Sequence, residues 1–82
     1  MDIAQDKRVL EQFKQSVGAL PFVDAIHVDD DAPRLRVWVI THYQNADQTM
    51  EIFGIQDDSD PEYRLDVKVR TRAQYDALIE VH

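Results

Sequence analysis

Three groups of residues in this chain have side chains that could do chemistry. The first is His27 and His42 with Asp29 and Asp31 of the triplet Asp29-Asp30-Asp31. Two imidazoles and a carboxylate can hold zinc, and clustered carboxylates suit a harder divalent cation. The second is Asp66-Val67-Lys68, which matches the carboxylate-x-lysine half of a nuclease site. The third is a set of cations, Arg34, Arg36, Arg64, Lys68 and Arg70, spaced around Trp38 and Ile40. Arginine and tryptophan together are the residues most enriched where proteins grip other proteins.

Spacing discriminates among them. A calcium loop needs ligands at several fixed intervals and a glycine for its turn, and the acidic triplet has neither. If Asp29 pairs near Arg34 across a tight hairpin, His27 falls opposite Arg36. His42 then projects past the strand end, too far from His27 to share a metal. Asp29 would instead make a cross-strand ion pair with Arg34 or Arg36. A site built on Asp66-x-Lys68 would also need an upstream acid on a neighbouring strand and a larger core, and Asp66 is expected instead to pair with a neighbouring arginine. The only glycines are Gly18 and Gly54, so no loop can cradle a phosphate, and neither Ser16 nor Ser59 has a nucleophile elbow. No metal and no cofactor is expected, and no motif names a reaction.

The cations around Trp38 are placed by alternation. Residues 22–29, 34–42 and 63–70 read as strands with period-2 side chains. One parity is apolar: Ile26, Val28, Leu35, Val37, Val39, Leu65, Val67 and Val69. The other carries His27, Asp29, Arg34, Arg36, Trp38, Ile40, His42, Arg64, Asp66, Lys68 and Arg70. A small sheet with helices on one side would leave that second face open; the alternative is that the last helix folds across it and buries Trp38.

Helical spacing supplies the covering layer. Leu10, Phe13, Val17 and Leu20 recur on one side of a helix over 3–19, with Asp2 as its cap and Gly18 and Pro21 as its stop. A second helix begins at Asn45, with Gln48 completing a capping box and Ala46, Met50 and Phe53 as its inward stripe, widened by Ile52 and Ile55. Gly54 weakens it by about 1 kcal/mol relative to alanine. Acids at 57, 58 and 60 crowd its negative end and cost stability unless compensated. Thr71, with Gln74, caps a third helix whose apolar side is Tyr75, Leu78 and Ile79. The expected fold is a single α+β domain of order α-β-β-α-β-α, a three-stranded sheet with helices mainly on one face. Val37, Val39, Val67 and Val69 should pack against Leu10, Phe13, Phe53 and Leu78. A crossover through the second helix would place strand three parallel to strand two, giving sheet order 1-2-3, and the alternative sets it beside strand one.

Composition narrows the partners. With 16 acidic and 9 basic residues among 82, the net charge is −7. Such a chain repels a nucleic-acid backbone, so nucleic acid is not an expected partner. There is no cysteine, no membrane-length apolar run and no signal-peptide pattern, which fits a cytoplasmic protein.

Residues 65–78, Leu-Asp-Val-Lys-Val-Arg-Thr-Arg-Ala-Gln-Tyr-Asp-Ala-Leu, resemble the third core strand and following helix of small nucleotidyltransferase-like domains. There a D-V-x-V strand runs into a Thr-capped helix bearing an aromatic. The preceding β-β-α order is similar too. That likeness implies a reduced member of the family, since its Gly-Ser pair is missing and the Asp-x-Asp at Asp29 and Asp31 sits in the hairpin loop. The α-β-β-α-β order is also similar to the cytoplasmic domain of cation-efflux transporters. The residues themselves point first to a binding module that uses the basic, aromatic sheet face for contact with protein, including a second copy of itself. A degenerate nucleotidyltransferase-like domain and a small metal-sensing domain are the alternatives.

Overall fold

The computed structural model describes residues 3–30 and 34–80. Its elements are α1 (Ile3–Gly18), β1 (Val23–Asp29), β2 (Arg36–Thr41), α2 (Ala46–Ser59), β3 (Asp66–Thr71) and α3 (Arg72–Glu80). The expected α+β order is present. Asp2, the expected cap, and Asp31, a candidate ligand, lie outside the described residues.

The sheet order is β1-β2-β3, with β1 antiparallel to β2 and β2 parallel to β3. The β1–β2 register differs from expectation by two residues. Asp29 faces Arg36 and His27 faces Trp38, so the hairpin loop is longer than a tight turn. An even shift leaves every side chain on its expected face. The register also slips between Val23 and Ala25, where Asp24 is the extra residue of a bulge on β1.

Alternation builds the core where expected. Val37 and Val39 are completely buried, Val67 nearly so, and Val9, Phe13 and Val17 of α1 join them. The inward stripe of α2 follows expectation at Ile52 and Ile55 but not at Met50 and Phe53. Met50 is 71% exposed and Phe53 37%, while Ile52 and the polar Gln56 are buried. The helix is rotated because Gln56 has partners inside: its Nε2 donates to the Leu65 carbonyl at 3.0 Å and to Asp60 Oδ2 at 3.1 Å. A buried amide so satisfied loses the penalty that sequence reasoning assigns it. The Asn45 cap is present, accepting from the Gln48 N–H at 3.1 Å, but Gln48 Oε1 is unpartnered, so the box is half formed.

Asp60 closes α2. Its backbone N–H returns to the Gln56 carbonyl, and its carboxylate accepts from the Arg64 N–H at 2.8 Å and the Leu65 N–H at 2.9 Å. Tyr63, between them, takes a left-handed backbone with φ 53°, held by its N–H to the Asp60 carbonyl. That conformation costs a side-chain-bearing residue roughly 1–2 kcal/mol, which the Asp60 bonds offset.

The largest departure is α3. It begins immediately after β3 and lies across the second face of the sheet, so Leu78 is 42% exposed and not part of the core. Two helices cover one face and α3 part of the other.

Replacing Asp60 with alanine should cost about 2–4 kcal/mol in urea denaturation, because three donors lose a charged acceptor at a buried site. Gly54→Ala should stabilise the chain by about 0.5–1 kcal/mol. Gly54 is mid-helix and a methyl there would meet nothing within 4 Å.

Candidate functional site

The parallel register puts Arg36 beside Asp66, Trp38 beside Lys68 and Ile40 beside Arg70. Five of the seven expected face residues are therefore adjacent. The face is not open. Ile40 is completely buried and Trp38 half-buried, because the first turns of α3 cover them.

Two contacts hold α3 there. The bulge leaves Asp24 free to accept from Arg72 Nε at 3.0 Å, at the helix start. Bulges often re-aim one side chain in this way. One turn on, Tyr75 stacks on His27 with centroids 4.9 Å apart and planes 3° from parallel, and meets Trp38 at 5.6 Å and 59°. The Arg70 guanidinium lies 5.9 Å from the Trp38 ring centroid, a cation–π distance. The helix itself starts on the expected box: Thr71 Oγ1 accepts from the Gln74 N–H at 3.2 Å and Gln74 Oε1 from the Thr71 N–H at 2.9 Å.

The remaining cations divide by role. Arg36 Nε donates to Asp66 at 2.9 Å and Lys68 lies 3.6 Å from the same carboxylate. The Arg36 hydrogen bond, with help from Lys68, holds Asp66 below the ordinary carboxyl value. Asp24 is likewise lowered, chiefly by its hydrogen bond to Arg72. Two expected face residues are elsewhere. Arg64 precedes β3 and pairs with Asp6 of α1 at 3.0 Å and Glu62 at 2.9 Å. Arg34 precedes β2 and donates to the carbonyls of Tyr63 and Leu65, tying the start of β3. Both stood one or more residues outside a strand, where alternation no longer assigns a face. With Asp66 and Asp24 among its cations, this face is less basic than a count of arginines suggests.

His27 and His42 do not meet. His27 faces Trp38, and the His42 N–H bonds the Phe22 carbonyl at the other end of the hairpin. Four residues of strand, about 13 Å, separate Trp38 from His42. Among the described residues, no group of three or more His, Asp or Glu is placed to hold a metal.

Beyond the aromatic stack, a groove of about 470 Å³ opens at the carboxyl ends of β2 and β3. Val69, Ala77 and Leu78 give it an apolar wall, and Arg70, Thr71 and Gln74 give it polar groups. Arg70 is the only ionisable side chain in its lining. The groove can offer hydrogen bonds and a positive charge, but no lining group that titrates near neutral pH. No family model, curated protein or solved structure matches this chain.

Because the folded value of Asp66 is lowered, its ion pair contributes stability above the ordinary value of 3.8 and loses it as pH falls through the lower folded value. Urea midpoints measured between about pH 5 and pH 2 should therefore fall less steeply for Asp66→Asn than for the wild type.

Proposed function

We propose that the protein is a protein-binding module whose contact surface is the α3 side of the sheet, and that its contacts include a second copy of itself. The observation that carries this reading is the row His27, Tyr75, Trp38, Arg70, in which rings and guanidinium support one another and stay partly exposed. Rigid aromatic groups lose little freedom on binding, and arginine beside them supplies directional hydrogen bonds. Arg36 and Lys68 border the row, so an approaching carboxylate meets positive charge first. The row differs from an RNA-binding sheet, which splays two or three aromatics outward for bases. Here Tyr75 is spent on fixing α3, and only one face of the stack is left to a partner.

A benzophenone amino acid at position 68, introduced in cells that make the protein, should give light-dependent protein adducts, a dimer band among them. The same group at position 51, exposed on the far flank of α2, should give few. His27→Glu in the position-68 background should reduce the adducts about fivefold or more, as loss of an interface anchor does. Equal adducts from both positions would count against the surface.

A further inference from the structure

Among the described residues, side chains cap much of the free edge of β3 but leave both polar groups of Val67 uncapped. β3 lies at the end of the sheet, with β2 on one side and no strand on the other. The Asp66 N–H points to β2, donating to the Leu35 carbonyl at 2.8 Å. Peptide groups alternate along a strand, so residues 65, 67, 69 and 71 turn theirs outward. Side chains meet most of these. Asp60 takes the Leu65 N–H, while Gln56 and Arg34 take its carbonyl. Arg70 folds back onto the Val69 carbonyl at 2.7 Å, and Gln74 takes the Thr71 N–H. Among the described residues, no side chain bonds the N–H or the carbonyl of Val67.

An unpaired N–H and carbonyl on one edge residue are what an antiparallel strand needs to form a two-bond pair. We infer that this edge pairs with the same edge of a second copy, antiparallel and centred on Val67. Each Val67 N–H then donates to the other copy's Val67 carbonyl. The sequence is self-complementary in that register. Asp66 falls opposite Lys68 of the second copy, and the two-fold axis repeats the pair, so opposite charges meet twice. The flanking surface is apolar. Thr49 lines the groove with Val69, which marks the flank of α2 nearest β3. On a helix turning 100° per residue, Met50 and Phe53 stand on that same flank, opposite the side where Ile55 faces α1. Both are exposed. The caps at Leu65, Val69 and Thr71 prevent the pairing from sliding, and a two-fold contact closes on itself instead of growing into a fibre. This inference rests on the proposed protein-binding role and names the second copy and the edge through which it binds.

Hydrogen exchange on the unmodified chain tests it without any substitution. The Val67 amide should become more protected as protein concentration rises through the dimer range, while exposed loop amides do not. Sedimentation equilibrium tests the register. Lys68→Glu sets like charges opposite each other at both pairs and should weaken the dimer about tenfold or more, and Asp66→Lys should do the same. Mixing the two variants should restore association as a heterodimer, since each then supplies the charge the other lacks. Circular dichroism of each variant confirms that the fold is intact. A wild-type dimer that both reversals leave unchanged would overturn the edge contact but leave the protein-binding reading standing. A dimer tightened by Lys68→Glu would overturn the register, because it would place the two Lys68 side chains opposite each other. A chain that stays monomeric at millimolar concentration yet still gives adducts with other proteins would overturn self-pairing alone. No adducts and no dimer would remove both.

Discussion

The Asp60 carboxylate is the point through which the two halves of this chain are joined. It ends α2, receives the N–H groups of Arg64 and Leu65, and orients the Gln56 amide toward the Leu65 carbonyl. The start of β3 is thus held by contacts other than its pairing with β2. A parallel strand has no hairpin to set its register, and its hydrogen bonds close a long loop at an entropic cost. Here a buried acceptor and Arg34, which reaches the same turn from the start of β2, do the work that a turn does in a hairpin. Everything after Leu65 depends on that placement. The pairing of Arg36 with Asp66, the position of Arg70 over Trp38 and the departure angle of α3 all follow from where β3 begins.

Burying a carboxylate is costly unless its oxygens are filled. Asp60 is filled by two backbone N–H groups and the Gln56 amide, neutral donors that need no counter-charge. The acidic end of α2 looked like a liability in the sequence, three acids against the negative end of a helix dipole. One of the three is structural, and its compensation comes from the chain just downstream. Asp57 contributes as well, accepting from the Tyr63 hydroxyl across the turn. The left-handed backbone at Tyr63 is therefore pinned from both ends, by its N–H and by its ring.

Alternation made the sheet legible. Val37, Val39, Val67 and Leu65 are buried and Arg36, Lys68 and Arg70 lie on the other side, because period 2 assigns faces regardless of register. The capping residues Asn45 and Thr71 were legible for a similar reason: a short side chain three residues before a donor has a local partner and needs no tertiary knowledge. What could not be read depended on distant partners. Gln56 is an inward residue only because Leu65 and Asp60 await it. Arg34 and Arg64 lie beyond the strand ends, where parity stops. The bulge at Asp24 has no sequence mark, yet without it Arg72 would have no anchor on β1. The apolar side of α3 was visible in Tyr75, Leu78 and Ile79, but amphipathicity says only that a helix has an inner face, not which surface it meets. Four of the residues expected on the second face form a strip. Trp38, Arg36, Lys68 and Arg70 are together, Ile40 is beneath α3, and Tyr75 and His27 complete the row.

The proposed self-association of a chain with net charge −7 needs a physical account, since two copies repel at long range. At physiological ionic strength the Debye length is about 8 Å, so charges on the far sides of the two copies are largely screened. Cross-strand neighbours at about 5 Å are not. The local pattern along β3 therefore outweighs the total. Asp66 and Lys68 alternate in sign along one face of the edge, which is the arrangement that becomes complementary when the strand is turned end for end. Lysine on an edge strand ordinarily discourages pairing. With an aspartate two residues away, it discourages every partner strand except one that presents the same two residues in reverse, and the same chain is such a strand. In the proposed dimer the acidic remainder of the molecule would keep one dimer apart from the next, so that the charge which opposes the first contact would also limit assembly beyond it.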